Sequence, residues 1–312
     1  MKVLGIESTA HTFGIGVVDE NGKILADERD NYKPKEGIIP NEAANFHRKN
    51  SNKLLKRVKK KISFNEIDLI GISTGPGLPP CLEYGFKFAR ELSKKLRKPL
   101  IGVNHCQAHI EIGKFLTKAK DPIILYVSGG NTQVIYENRG YRVLGETQDI
   151  GIGNAIDKLG RAAGLKFPAG PKIEKIAKNG KFVLLPYYVK GMDLNFSGIL
   201  SEAIRRLKTN KLEDVFYSFQ EVCFAMLTEV TERALAATEK KELLLVGGVA
   251  KNKRLQKMLK IMCKERGAKL KVVEKEFAGD NGVMIALTAM LNYKNGKFAR
   301  AKIRANWRID SI

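Results

Sequence analysis

Lys2-Val3-Leu4-Gly5-Ile6-Glu7-Ser8-Thr9-Ala10-His11-Thr12-Phe13-Gly14-Ile15-Gly16-Val17-Val18-Asp19-Glu20-Asn21-Gly22-Lys23-Ile24-Leu25-Ala26-Asp27 decides the fold. It reads as a strand, a small polar turn, a second strand and a return. Asn21-Gly22 is a strong short hairpin signal. The same grammar restarts at Pro122. Ile123–Val127 is a strand, Ser128-Gly129-Gly130-Asn131 a small turn, and Thr132–Tyr136 a second strand. After Glu137–Gly140, Tyr141–Gly145 returns. Each half then continues in strand–helix units. In the first, residues 40–61 are helical. Ile67–Ser73 ends in Thr74-Gly75-Pro76-Gly77 before a helix at about 80–96, and Pro99–Val103 is a further strand. In the second, Glu242–Val246 ends in Gly247-Gly248. Lys269–Val273 then leads through Gly279-Asp280-Asn281-Gly282 into a helix from Val283 to about Leu291.

Three antiparallel strands followed by strand–helix units, twice over, is the order of the ribonuclease-H-like unit. The chain therefore resembles the duplicated α/β proteins: actin, the hexokinases and the heat-shock chaperone ATPases. Residues 1–120 are expected to form an N-terminal lobe and 121–312 a C-terminal lobe, with the C-terminal segment able to pack back on the first. Ligands of such folds sit at the carboxyl ends of strands.

Asn104-His105-Cys106-Gln107-Ala108-His109 follows the Pro99–Val103 strand. Asn104 is suited to cap a helix. On that helix His105 and His109 share a face and can hold one metal ion, or else stand as two hydrogen-bonded core histidines. No glutamate lies between them, so the pair is not a His-Glu-x-x-His protease signature. Asp280 follows the equivalent strand of the second half. It is expected to face the histidines across the inter-lobe cleft as third ligand, to cap its helix, or both. Two histidines and a carboxylate suit zinc or ferrous iron. Tyr126 ends a strand aimed at the same cleft and reads equally as a core residue.

Composition narrows the class. Fifty-five Lys and Arg against 33 Asp and Glu give a net charge of +22. That excess favours a polyanionic partner, most simply nucleic acid, against a general lysine habit. Lys53, Lys56, Arg57, Lys59, Lys60 and Lys61 form one block. Lys294, Lys297, Arg300, Lys302, Arg304 and Arg308 form another. No apolar run is long enough to cross a membrane, and the chain leads straight into a strand rather than a signal peptide. Cys81, Cys106, Cys223 and Cys263 form no Cys-x-x-Cys pair and read as reduced thiols of a cytoplasmic protein.

The turns Glu7-Ser8-Thr9 and Ser128-Gly129-Gly130 are expected to offer backbone N–H groups to phosphates from both lobes. Gly247–Asn252 suits close approach of an adenosine, with Asn252 reading a base edge. Asp157, after Gly151-Ile152-Gly153-Asn154, and Glu174, after Pro168-Ala169-Gly170-Pro171, are placed to hold ribose hydroxyls.

Taken together, Gly5–Thr12, Asn104–His109, Tyr126–Gln133, Gly153–Lys158, Lys190–Asp193, Phe196–Gly198, Gly247–Asn252 and Gly279–Gly282 resemble the tRNA threonylcarbamoyladenosine transferase family (TsaD-like). The opening motif, Gly5–Thr12, looks like that of its archaeal and eukaryotic branch, whose members are the catalytic subunit of the KEOPS complex. The resemblance implies transfer of threonylcarbamoyl from threonylcarbamoyl-adenylate to N6 of adenosine 37 in tRNAs reading codons that begin with A, with release of AMP. It implies one Fe or Zn ion on His105, His109, Tyr126 and Asp280. It also implies an adenine nucleotide (threonylcarbamoyl-adenylate, AMP or ATP) at Tyr126, Val127, Ser128, Gly129, Gly130, Asp157, Gly170, Glu174 and Asn252. Its implied partners are tRNA and KEOPS subunits including a small protein kinase. Two departures stand out: Ala169 replaces a common glycine, and Gly37–Ala43 lacks a histidine usual before the proline. The residues leave two rivals, a metalloprotease and an ATP-dependent kinase or nucleotide-gated module of the same fold.

Overall fold

A computed structural model describes residues 1–34, 37–296 and 301–312. The described chain forms two compact units. The first comprises Met1–Pro34, Ile38–Ile112 and Gly279–Ser311; the second is built essentially from Gly113–Ala278.

In the first unit, β1 (Lys2–Glu7), β2 (Thr12–Asp19) and β3 (Ile24–Asn31) form the antiparallel meander. Helix α1 (Pro40–Lys61) follows, then β4 (Leu69–Gly75), α2 (Pro79–Leu96), β5 (Leu100–Asn104) and the start of α3 (His105–Thr117). The sheet order is β3-β2-β1-β4-β5, with β4 and β5 parallel to β1. Pro40 and Pro79 open their helices, where a missing N–H is harmless.

The second unit repeats the plan. β6 (Ile123–Val127), β7 (Thr132–Glu137) and β8 (Tyr141–Glu146) form its meander. Helices α4 (Ile152–Ala162) and α5 (Gly170–Ile176), the short pair β9 (Val189–Lys190) and β10 (Asp193–Leu194), and helices α6 (Ser197–Arg206) and α7 (Leu212–Thr238) follow. β11 (Glu242–Val246), α8 (Lys253–Glu265) and β12 (Lys269–Val272) complete it. The order β12-β11-β6-β7-β8 is that of the first sheet, strand for strand. The duplication expected from the two hairpins is thus the fold. The length and central place of α7 were not anticipated; its buried face runs from Val215 to Leu235.

The last helix, α9 (Gly282–Lys294), belongs to the first unit and packs on β1, β2 and β4. Alternation along the strands explains how. Leu4, Ile6, Phe13, Ile15, Val17, Ile70 and Ile72 enter one core with residues of α1 and α2. Gly5, Gly14, Gly16 and Gly71 point to the other face. A Cβ on Gly5 would lie 2.2 Å from the Ala286 nitrogen, and one on Gly16 would lie 2.3 Å from that of Val283. The helix therefore rests backbone on backbone. Every residue from Gly282 to Met290 is buried, which is why the segment is apolar all round.

Candidate metal centre and nucleotide loops

Asn104 and Asn281 position the chemistry by the same device. Asn104 Oδ1 accepts from the N–H groups of Cys106 (2.9 Å) and Gln107 (3.1 Å), and so starts α3 at His105. Asn281 Oδ1 accepts from Met284 N at 2.8 Å and starts α9. The cap of α9 is thus Asn281, and the neighbouring Asp280 carboxylate is turned to the histidines. Asp280 Oδ1 lies 3.2 Å from His109 Nε2 and 3.6 Å from His105 Nε2. The two rings stand edge to face, with centroids 4.8 Å apart.

All three residues lie in the first unit. The expectation that Asp280 meets the histidines from the opposite lobe is therefore corrected. Topology makes the second half supply the residue, but the glycine seat on β1 and β2 carries its helix onto the first sheet.

The donor set fits a transition metal. One donor atom from each of His105, His109 and Asp280 lies within 4.8 Å of the others. Ligands about 2.1 Å from a common ion stand roughly 3.0–3.5 Å apart, close to the two separations above. Behind His105, Glu7 Oε2 lies 3.0 Å from Nδ1, leaving Nε2 for the ion. Metal-ligating histidines are commonly held this way. Glu7 is itself fixed, because its Oε1 accepts from Thr9 N at 2.7 Å and from the Thr9 hydroxyl. His11 Nδ1 approaches Asp280 Oδ2 at 3.9 Å.

The same groups shift one another's proton affinity, and a metal on His105 would have to displace a proton. Burial disfavours a charged His105, but the Glu7 carboxylate, by charge and hydrogen bond, outweighs it and Asp280 adds to it, so the pKa is pushed up to about 9. Burial holds His109 below its ordinary value, against its hydrogen bond to Asp280. Burial would raise Asp280, yet His109, His105 and His11 hold it well below the usual carboxylate range.

Sequence reasoning passed over Glu7 and His11 as site residues. It assigned Glu7-Ser8-Thr9 to phosphate contact, and that assignment is also corrected. Glu7, Ser8 and Thr9 are buried, Thr9 N is held by Glu7, and Ser8 N donates to Ser73 Oγ at 3.0 Å. The available signal was a carboxylate at the end of a buried strand, which needs a partner.

The residues expected to bind nucleotide lie in the second unit: Tyr126–Gly130 at the carboxyl end of β6, Asn252 after β11, Asp157 on α4, and Gly170 and Glu174 on α5. Tyr126 and Val127 are fully buried at the end of β6. Gly129 and Gly130 are exposed, and the start of α4 is laced to their loop. Gly153 N donates to Ser128 O at 3.1 Å and Asn154 N to Gly129 O at 3.0 Å. A Cβ on Gly151 would lie 2.4 Å from Gly129 O, so only glycine allows this approach. On the other side Gly247, at φ +95°, would bring a Cβ within 2.3 Å of Val127 O. Asp157 Oδ1 accepts from Ala169 N at 2.7 Å, beside Gly170, and Glu174 Oε1 accepts from Lys253 N at 2.7 Å. Asn252 is the cap of α8: its Oδ1 accepts from Arg254 N and Leu255 N, and its Nδ2 donates to Gln220 Oε1 at 3.0 Å.

The Lys53–Lys61 block lies on α1. Lys56 and Lys59–Lys61 line a groove of about 1090 Å³, and Lys61 pairs with Glu28 at 2.8 Å. Of the C-terminal block, Lys297 and Arg300 lie outside the described residues. Arg304 stacks on Trp307 and Arg308 pairs with Asp310, so part of that charge is spent locally. No disulfide joins the four cysteines. Among the described residues no helix is long and apolar enough to cross a membrane.

Against known proteins, the model of the TsaD family, tRNA N6-adenosine threonylcarbamoyltransferase, matches residues 22–287. The tRNA N6-adenosine threonylcarbamoyltransferase of Archaeoglobus fulgidus is 56% identical over 320 residues, spanning 100% of this chain and 98% of that protein. A probable bifunctional tRNA threonylcarbamoyladenosine biosynthesis protein of Methanocaldococcus jannaschii is 52% identical over 319 residues. The chain spans only 60% of that longer relative. Among solved structures, HypF of T. kodakarensis matches with a TM-score of 0.67 at 17% identity, covering 95% of this chain and 48% of that one. The activator of the 2-hydroxyisocaproyl-CoA dehydratase of Clostridium difficile matches at 0.56 and 13%, covering 95% and 97%. At such identities the likeness carries the fold alone, and it is the duplicated α/β fold of the two matching sheets. The family match over most of the chain, with a relative matched end to end, carries more: the chain belongs to the tRNA N6-adenosine threonylcarbamoyltransferase (TsaD) family.

Proposed function

We propose that this chain is the tRNA N6-adenosine threonylcarbamoyltransferase of its organism, acting on adenosine 37 of tRNAs that read codons beginning with A. The observation that carries this reading is the end-to-end match to the Archaeoglobus enzyme. The donor is threonylcarbamoyl-adenylate, a mixed anhydride whose carbonyl is already activated. The N6 amine attacks that carbonyl, a C–N bond forms and the C–O bond to phosphate breaks. AMP leaves with the bonding pair and N6 gives up a proton.

An exocyclic amine is a weak nucleophile, so positioning and charge stabilisation must supply the acceleration. One Fe or Zn ion would be held by His105, His109 and Asp280 and would supply Lewis-acid polarisation of the donor carbonyl. Glu7 keeps His105 in the ligating tautomer, and Asn281 takes the capping duty that would otherwise draw on Asp280. Gly129 and Gly130 leave backbone N–H groups open to the adenylate phosphate. Asp157 and Glu174 take the ribose, with Val127, Ser128 and Gly170 shaping the loops. Asn252, its oxygen committed to capping, offers the base its second Nδ2 hydrogen.

The metalloprotease alternative needs a carboxylate base at the metal. Glu7, the carboxylate beside His105, is engaged by His105 and Thr9. Cytoplasmic location and assembly with KEOPS subunits, including a small kinase, belong to the same proposal.

Incubating the chain with threonine, bicarbonate, ATP, an adenylate-forming enzyme and tRNA tests it, with and without those subunits. Mass spectrometry of the digested tRNA should show the modified nucleoside. Its absence under every combination overturns the assignment.

A further inference from the structure

After a 3-10 turn at Ala177–Asn179, residues 180–188 carry no regular structure before β9, yet they are tightly held. Lys181 N donates to Asp214 Oδ1 at 2.6 Å and Val183 N to Ser218 Oγ at 2.7 Å, both on α7. Leu185 is buried in the core of the second unit. The segment is thus a strap along α7. In an extended chain alternate side chains point oppositely. Phe182 and Leu184 accordingly face outward, 56% and 76% exposed. After Pro186, Tyr187 and Tyr188 are 50% and 52% exposed, and the Tyr187 hydroxyl bonds Glu229 of α7.

A run of four large apolar side chains held in water on a fixed backbone marks an interaction surface. Its charge selects the partner. From Lys175 to Met192 the chain contains four lysines and no carboxylate: Lys175, Lys178, Lys181 and Lys190. Lysines flanking a run of exposed rings on both sides suit unpaired nucleic-acid bases, whose faces stack on aromatics while their phosphates meet the cations.

We propose that the strap Lys181–Tyr188 is a stacking platform for the unpaired bases of the tRNA substrate, the anticodon loop that carries the target adenosine. This rests on the tRNA reading above. The strap supplies affinity for single-stranded bases, because nothing in it presents a base-specific donor and acceptor pattern. Pinning by Asp214 and Ser218 holds the rings in place before RNA arrives, so little ordering is needed on binding.

The test is fluorescence-anisotropy titration of the full chain with a labelled anticodon stem-loop and with a fully paired RNA of the same length. Phe182→Ser combined with Tyr188→Ser should weaken the stem-loop about tenfold or more and leave the paired RNA unchanged. Tyr188→Trp should retain stem-loop affinity. Because these side chains are exposed, melting temperatures should match the parent and exclude misfolding. Unchanged stem-loop affinity in the double Ser variant overturns the proposal, as does equal loss for both RNAs. Loss of binding to a KEOPS subunit with RNA affinity intact also overturns it, and makes the strap a protein-docking surface. If the transferase assay fails while the stem-loop effect holds, the strap stands and the reaction assignment falls.

Discussion

The two units share one strand order and build opposite kinds of site from it. After β1 the first unit places Glu7, Ser8 and Thr9, buried and bonded to one another and to their neighbours. After β6 the second unit places Ser128, Gly129 and Gly130, with both glycines open to solvent. The first gathers imidazoles and carboxylates, and the second leaves backbone exposed. Glycines serve both uses: Gly151 and Gly247 of the second unit also permit close backbone approach. In the first unit Gly5 and Gly16 are consumed by seating α9, whereas around Gly130 and Gly248 a Cβ would meet nothing within 4 Å. One topology can therefore carry at its strand ends either a cluster of side chains or a stretch of bare backbone.

The largest effect should come from breaking the side-chain site. His109→Ala should lose bound transition metal and lower tRNA modification by about a hundredfold or more, since even second-layer partners of a metal are worth 10–100-fold. Metal analysis and nucleoside mass spectrometry measure both, with circular dichroism confirming the fold. Normal modification by this variant would remove the metal centre from the mechanism.

The glycine seat comes next. Gly16→Ala places a methyl 2.3 Å from a backbone nitrogen of α9. Overpacking of this kind costs about 3 kcal/mol or more where backbone must move. Urea unfolding should show it, and a variant as stable as the parent would mean that the helix does not depend on that contact.

A comparable loss is expected from acid. His47 is buried, with Nδ1 2.8 Å from Ser8 Oγ. Burial first, and then the nearby His11, lowers its pKa to about 4. In the unfolded chain its pKa returns to about 6.5. The unfolded state therefore binds the proton first as pH falls. Stability is full above about pH 6.5 and declines towards pH 4, by about 3 kcal/mol in all. Unfolding curves at pH 7, 5 and 4 should show this slope in the parent and a flatter one in His47→Asn. Equal slopes would refute it.

The gentlest change sharpens the contrast. Gly130→Ala meets open space, so its melting temperature should stay within about 1 °C of the parent, as for a neutral surface substitution. Adenine-nucleotide affinity should still fall severalfold if bare backbone is what the phosphate meets. Calorimetric titration with AMP decides, and unchanged affinity would place the phosphate elsewhere.

Much of this was written locally. The polar-turn hairpins at Glu7–Thr12 and Val127–Thr132 announce the duplication, because strand alternation and Asn-Gly turns are short-range preferences. The spacing of His105 and His109 needs only a helix and its Asn104 cap. What the chain could not state locally was the company Asp280 keeps. Its helix joins the first sheet because Gly5, Gly14, Gly16 and Gly71, scattered over three strands, line up on one face only after those strands pair. The same assembly turns Glu7 from a turn residue into the support of His105, and gives the cap of α9 to Asn281. Sequence settles which groups exist and how each strand or helix presents them. The meeting of residues 7, 105, 109 and 280 depends on packing between segments nearly a chain length apart, where shape rather than spacing chooses the neighbour.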